Sequence, residues 1–224
     1  RHPGIADQFP VDFSQSVFVL PRWERAPTVL QTERSSLKPL AELASPTGLA
    51  LDLLSFLHDR LKVHLRDEGV PHDVIDACLA MPGNDDLTLL VKRARALAAF
   101  LGTEDGTNLL QLFRRANNIL TQAEQKDGVE YSFGADPKFA DAPEERALFA
   151  TLDAEGPRIE AAVGAEDFAG AMAGLARLRA PLDAFFEAVQ VNAENPVVRR
   201  NRLNLLSRIR ALALGVADLT KIEG

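Results

Sequence analysis

One cysteine, one tryptophan, one tyrosine and two methionines are all that these residue types contribute to a sequence of 224 residues. A single thiol forms no intrachain disulfide, so no disulfide framework holds the chain together. Cys78 sits inside an apolar helical run and is expected to be a buried structural thiol, which suits a reducing, cytoplasmic setting. No apolar run reaches the roughly 18 residues that a membrane-spanning helix needs, and Arg1-His2-Pro3-Gly4 lacks the charged-then-apolar pattern of a signal peptide. No membrane partner is expected. The sequence begins without Met and is expected to be a piece of something longer. Catalytic signatures are missing too: there is no G-x-x-x-x-G-K phosphate cradle, no Cys/His metal spacing, and no nucleophile with an adjacent base. His58 and His64, six residues apart, fall on different faces of a helix, and His72 does not complete a ligand set. Neither metal nor cofactor is expected in this chain, and by itself it is expected to be non-catalytic.

Charge is present but unevenly spread. The 32 acids outnumber the 25 Lys and Arg, for a formal net charge of -7. That balance argues against non-specific nucleic-acid binding over the whole surface, yet leaves room for a local basic strip. Six of the thirteen prolines fall within residues 1–46, a spacing that forbids long helices, so this segment is expected to be irregular. From residue 47 to 224 the pattern is helix after helix. Apolar residues recur at helical spacing from Leu49 to Arg66, Pro71 to Met81, Leu87 to Leu101 (with Lys92, Arg93 and Arg95 outside) and Asn108 to Gln125. A loop over 126–142 carries Tyr131 and Phe133, which either stack on unpaired bases or anchor the loop to the core. Pro143-Glu144-Glu145 opens a further helix that Gly156-Pro157 is expected to end, and a small-residue helix follows over 166–179.

The last 44 residues, Pro181 to Gly224, organise the reading. Leu182, Phe185, Phe186 and Val189 form a helical stripe, the polar run 192–195 breaks it, and Pro196 suits the first position of a new helix. In that last helix Leu205, Ile209, Leu212 and Val216 line one face, widened by Leu206 and Ala213, while Asn204, Ser207 and Arg208 are expected to point into water. Between Pro196 and Gly215 stand Arg199, Arg200, Arg202, Arg208 and Arg210, with no acid among them. Arg202 falls at the border of the apolar arc, so its stem is expected to be buried and its head paired with Asp183 or Glu187.

Phe185-Phe186, the Val189-Gln190-Val191-Asn192 corner, the run Arg199 to Arg210 and Val216-Ala217-Asp218 together resemble the anticodon-binding domain at the C-terminus of the bacterial glycyl-tRNA synthetase beta subunit. Two more blocks, Phe113 to Leu120 and Asp59 to Ala77, extend the resemblance to about residue 50. Where that family has its Asp-Ala-Leu-Arg motif, this sequence has Pro196-Val197-Val198-Arg199. The resemblance implies an all-α bundle of the class I-type anticodon-binding kind over residues 47–224. It also implies binding of the anticodon stem-loop of glycine tRNA. Charging with glycine would use ATP at the alpha subunit, in a heterotetramer. A helical protein–protein module without RNA binding is the alternative.

An anticodon loop offers splayed bases and closely spaced phosphates, so arginines for phosphate pairing and stacking, with amides for base edges, are the side chains to look for. Arg114, Asn118, Arg199, Arg200 and Arg208 are the expected RNA contacts, with Asn117 nearer to the apolar arc.

Overall fold

The computed structural model describes residues 46–132 and 134–223. The chain divides into two compact units at Leu49/Ala50, and the second, Ala50–Gly224, consists of helices and short connections among its described residues. The irregular segment expected over 1–46 lies, Pro46 apart, outside the described residues. The helices are α1 (Pro46–Asp67), α2 (His72–Leu79), α3 (Leu87–Leu101), α4 (Glu104–Asp127), α5 (Pro143–Gly164), α6 (Phe168–Ala176), α7 (Arg179–Ala188) and α8 (Pro196–Val216). Single 3-10 turns lie at Pro137–Phe139 and Leu219–Lys221. No strand occurs among the described residues, in agreement with the all-α expectation.

Local chemistry sets most of these boundaries. The Asp86 carboxylate accepts from Leu89 N at the start of α3, Thr103 Oγ1 accepts from Gly106 N at the start of α4, and Asp167 accepts from Gly170 N before α6. Each satisfies a donor that the first helical turn leaves unpaired. Asn195 does this for α8, accepting from Val197 N at 2.9 Å, and Pro196 follows it at a position where a missing N–H costs nothing. α4 ends at Gly128, whose φ of 67° lies in the left-handed region that suits glycine.

Three expectations need correction. Pro157 does not end α5, which runs through it to Gly164. An interior proline costs about 3 kcal/mol, but Leu148, Phe149 and Leu152 before it and Ile159 after it are all buried in one core, and that burial outweighs the lost hydrogen bond. Arg93 does not lie outside: it is 7% exposed, its guanidinium 4.9 Å from the centre of the Phe168 ring, because α6 packs over that face of α3. Third, the wet face of α8 is interrupted: Val197, Arg200, Ala211 and Gly215 are exposed along it, but Asn204 within it is buried. Asn201 to Leu206 are six consecutive buried residues, since α4, α5 and α6 and the Pro137–Phe139 turn all pack against α8. It is the central helix of the unit.

The small residues of α6 permit a close approach to α5. A Cβ on Gly174 would lie 2.5 Å from Ile159 of α5. At its end the chain returns to α2: Asp218 N donates to Ala77 O at 3.2 Å and Glu223 N to the buried Asp73 carboxylate at 2.8 Å. Arg114 Nη2 donates to the carbonyl of Ile222, so α4 holds the same segment. Two blocks that are far apart in sequence, His72–Ala77 and Val216–Asp218, are thus joined in space.

Candidate nucleic-acid interface

Positions 200, 204 and 208 are each four residues apart, which places Arg200, Asn204 and Arg208 in one row along α8. The loop between α4 and α5 covers part of that row. It is fixed by an amide–backbone pair: Asn201 Nδ2 donates to Asp136 O at 3.1 Å, and Asn201 Oδ1 accepts from Asp136 N at 2.8 Å. Two concavities result, of about 440 and 430 Å³, and they share Gly134 and Asn204 as lining residues. Arg200, Val197 and Phe139 line the first, Arg208, Ser207 and Ser132 the second. Phe139 is 47% exposed and Val197 52%, so apolar surface lies beside the cationic row.

Arg200 is exposed. Arg208 is half-buried and paired with Asp153 of α5 at 2.6 Å, in an ion pair that solvent reaches on both sides. Arg199 points elsewhere. Its Nη1 lies 2.7 Å from Asp127 and donates to the Tyr131 hydroxyl at 3.2 Å, and its Nε donates to Asn192 Oδ1 at 3.2 Å. The Tyr131 hydroxyl donates to Asp127 at 2.6 Å, and that bond, followed by the one from Arg199, holds the Asp127 carboxyl below its ordinary value. Tyr131 is 6% exposed and anchors the loop; Phe133 lies outside the described residues. Asn118 is exposed on α4 and Arg114 is half-buried against the C-terminal segment. Neither lines the two concavities. Of the five expected contacts, the structure brings Arg200 and Arg208 together on one surface.

Arg202 is buried as expected, but with a different partner. Neither Asp183 nor Glu187 receives it: Nε and Nη2 donate to the fully buried Glu145 at 3.2 and 3.1 Å, and Nη1 to Gln190 O at 3.0 Å. The reason is that the first turn of α5, not α7, faces this part of α8. Asn204 is likewise buried, 8% exposed, rather than turned to water, and it lines a concavity together with Gly134, Asp136 and Phe139 of the returning loop. The signal for Asn204 was present in the sequence as an amide midway between two arginines at helical spacing. Nothing in the sequence marked Asp136 or Phe139, which the loop brings in.

Among the described residues no helix is long and apolar enough to cross a membrane, and no group of three or more His, Cys, Asp or Glu is placed to hold a metal ion. His58 Nε2 donates to Asn84 O at 2.7 Å, and His64 lies 3.2 Å from Glu68.

An all-helical unit that sets a row of arginine and amide side chains beside exposed apolar surface has the components of a module for single-stranded nucleic acid. The comparison with known families is specific: the chain belongs to the DALR anticodon binding domain family, whose model matches residues 109–222. It is 73% identical over 173 residues to the glycine–tRNA ligase beta subunit of Cereibacter sphaeroides, 75% over 173 to that of Dinoroseobacter shibae and 64% over 191 to that of Paracoccus denitrificans. These matches take in 77%, 77% and 85% of this chain but 25%, 24% and 28% of the relatives. The chain therefore spans about a quarter of the length of the curated relatives it matches.

Proposed function

We propose that Ala50–Gly224 grips the anticodon stem-loop of glycine tRNA, as the RNA-recognising portion of a glycine–tRNA ligase beta subunit acting in the cytoplasm. The observation that carries this reading is the row Arg200, Asn204 and Arg208, which lies on α8 inside the stretch matched by the anticodon-binding family. Arginines there meet phosphates and splayed bases, and the loop over 130–139 gives the row walls that a duplex does not need. Charging itself belongs to the assembled ligase, in which an alpha subunit uses ATP and glycine and joins beta subunits in a heterotetramer. This chain contributes binding and no chemistry.

The test is affinity for glycine tRNA against an unrelated tRNA across a salt series. The expected outcome is selective binding with a steep salt dependence that Arg200→Ala and Arg208→Ala each reduce by a slope of about one. Arg208→Ala leaves the thermal midpoint nearly unchanged, because the pair it breaks is solvent-exposed and worth less than about 1 kcal/mol. Equal affinity for both tRNAs would count against recognition of glycine tRNA, and the absence of salt-dependent binding to either would favour a protein–protein module.

A further inference from the structure

Two amides on α8, one turn apart, are held in opposite ways. Asn201 has both its oxygen and its nitrogen fixed by the Asp136 backbone. Asn204 is 8% exposed and its Oδ1 is buried without a hydrogen-bond partner among the described residues. An unmade buried acceptor is uncommon and costly, because the group has lost water and gained nothing. The terminal torsion of asparagine is broad and roughly two-fold, so an amide with no bond holding its oxygen turns readily about that torsion.

What lies beside this amide is a pair of openings. Asn204 lines both concavities, and each is in the volume range of small-molecule sites. Arg200 is one turn before it and Arg208 one turn after, a separation of about 12 Å along the helix from first to last. Adjacent phosphates of one strand are closer together than that, so the two arginines can reach inward to phosphates on either side of a splayed nucleotide. Phe139 and Val197, both about half exposed, form the apolar rim of the first opening, against which the flat face of a base stacks.

We propose that Asn204 is the residue that reads one unstacked base of the anticodon loop: the base lodges between Phe139 and Val197, and the Asn204 amide turns outward to pair with its edge. This rests on the RNA-binding reading above and goes further, by separating a residue that selects a base from the arginines that hold the backbone. An amide offers one donor and one acceptor side by side, and a base edge presents the complementary pair. Arg200 and Arg208 hold phosphates and add affinity without choosing a sequence. The oxygen that is stranded in the free protein gains its partner in the complex.

The experiment uses the full 224-residue chain and synthetic anticodon stem-loops of glycine tRNA in which each loop base is exchanged in turn for the other three. The unmodified protein is expected to discriminate at one loop position by roughly 5- to 150-fold, the range for a bidentate amide–base pair. Asn204→Ala abolishes discrimination at that position and leaves the others as they were. Asn204→Asp keeps the shape but offers only acceptors, so it shifts the preference at that position toward guanine, whose N1–H and N2 amino group present two donors side by side. Arg200→Ala weakens all hairpins by a similar factor. If Asn204→Ala keeps full discrimination, weakens every hairpin alike, or matches Asn204→Asp in selectivity, Asn204 is not the reader although RNA binding stands. If the unmodified chain binds none of the hairpins, the RNA-binding reading falls and this assignment with it.

Discussion

Arg210 of α8 and Glu124 of α4 meet as a two-point pair, Nη1 to Oε2 at 2.9 Å and Nη2 to Oε1 at 2.8 Å, with 19% and 17% of their side chains exposed. The bonds donated by Arg210 hold the Glu124 carboxyl below its ordinary value of 4.5, against an opposing push from burial. A carboxylate with a depressed folded pKa binds fewer protons folded than unfolded as the pH falls. Its stabilisation is complete above the unfolded value and is lost as the pH drops through the folded one.

The thermal midpoint should therefore hold steady at neutral pH and decline as the pH is lowered beyond about 4.5, with Asp127 adding to the decline in the same direction. Glu124→Gln should flatten part of that slope. Arg210→Ala, which strands a largely covered acceptor, should cost about 1–3 kcal/mol at neutral pH. Thermal unfolding followed by circular dichroism across pH checks both; an unaltered slope in Glu124→Gln would refute the assignment.

Arg202→Met should be more damaging. It leaves the fully buried Glu145 without its cation, a loss of about 3–5 kcal/mol for a broken buried pair. Adding Glu145→Leu should recover most of the loss, because an apolar pair of similar volume has no charge to bury. Urea midpoints of the two single variants and the double variant measure the coupling.

Asn201→Ala should cost about 1–2 kcal/mol for two lost bonds to the Asp136 backbone. It should also speed hydrogen exchange at Asp136 and its neighbours. The distinguishing result is location: protection in α3 and α6 should be unaffected, and general loss of protection would mean a global effect instead.

Cys78 is 1% exposed, and burial pushes its thiol up to about 12. In the native chain it should resist a thiolate-requiring reagent at neutral pH and react fully once urea unfolds the bundle. Rapid labelling without unfolding would contradict that placement.

The helices were legible because caps and apolar spacing are local: Asn195 and Pro196 announce α8, whereas α4 starts at the Thr103 cap, ahead of the Asn108 start that apolar spacing alone suggests. The family resemblance was legible for a related reason. Its blocks turn out to be contacts of the fold, with Arg199 on Asn192, Arg202 on Gln190 O, and Asp218 on Ala77. What stayed hidden depends on coverage. A wheel drawn for α8 alone puts Asn204 in water, and only the returning loop, seated by Asn201, turns it into the floor between two openings. For the same reason Arg93 and Arg202 found partners in helices that no spacing rule connects to them. Pro157 shows the converse, a local signal overruled by apolar surface on both sides of it.

The bond from Glu223 N to Asp73 joins residues 150 positions apart, and Asp218 reaches Ala77 across a similar span. Synthesis from the N-terminus delivers α2 and its neighbour α3 long before this last partner. Until residue 223 leaves the ribosome, Asp73 has no distant donor and the apolar side of α2 lacks its final cover. Contacts of such long range form late and slowly. Assembly of this unit is thus timed by its last few residues, and the interval before they emerge is when the nascent chain is most exposed to aggregation.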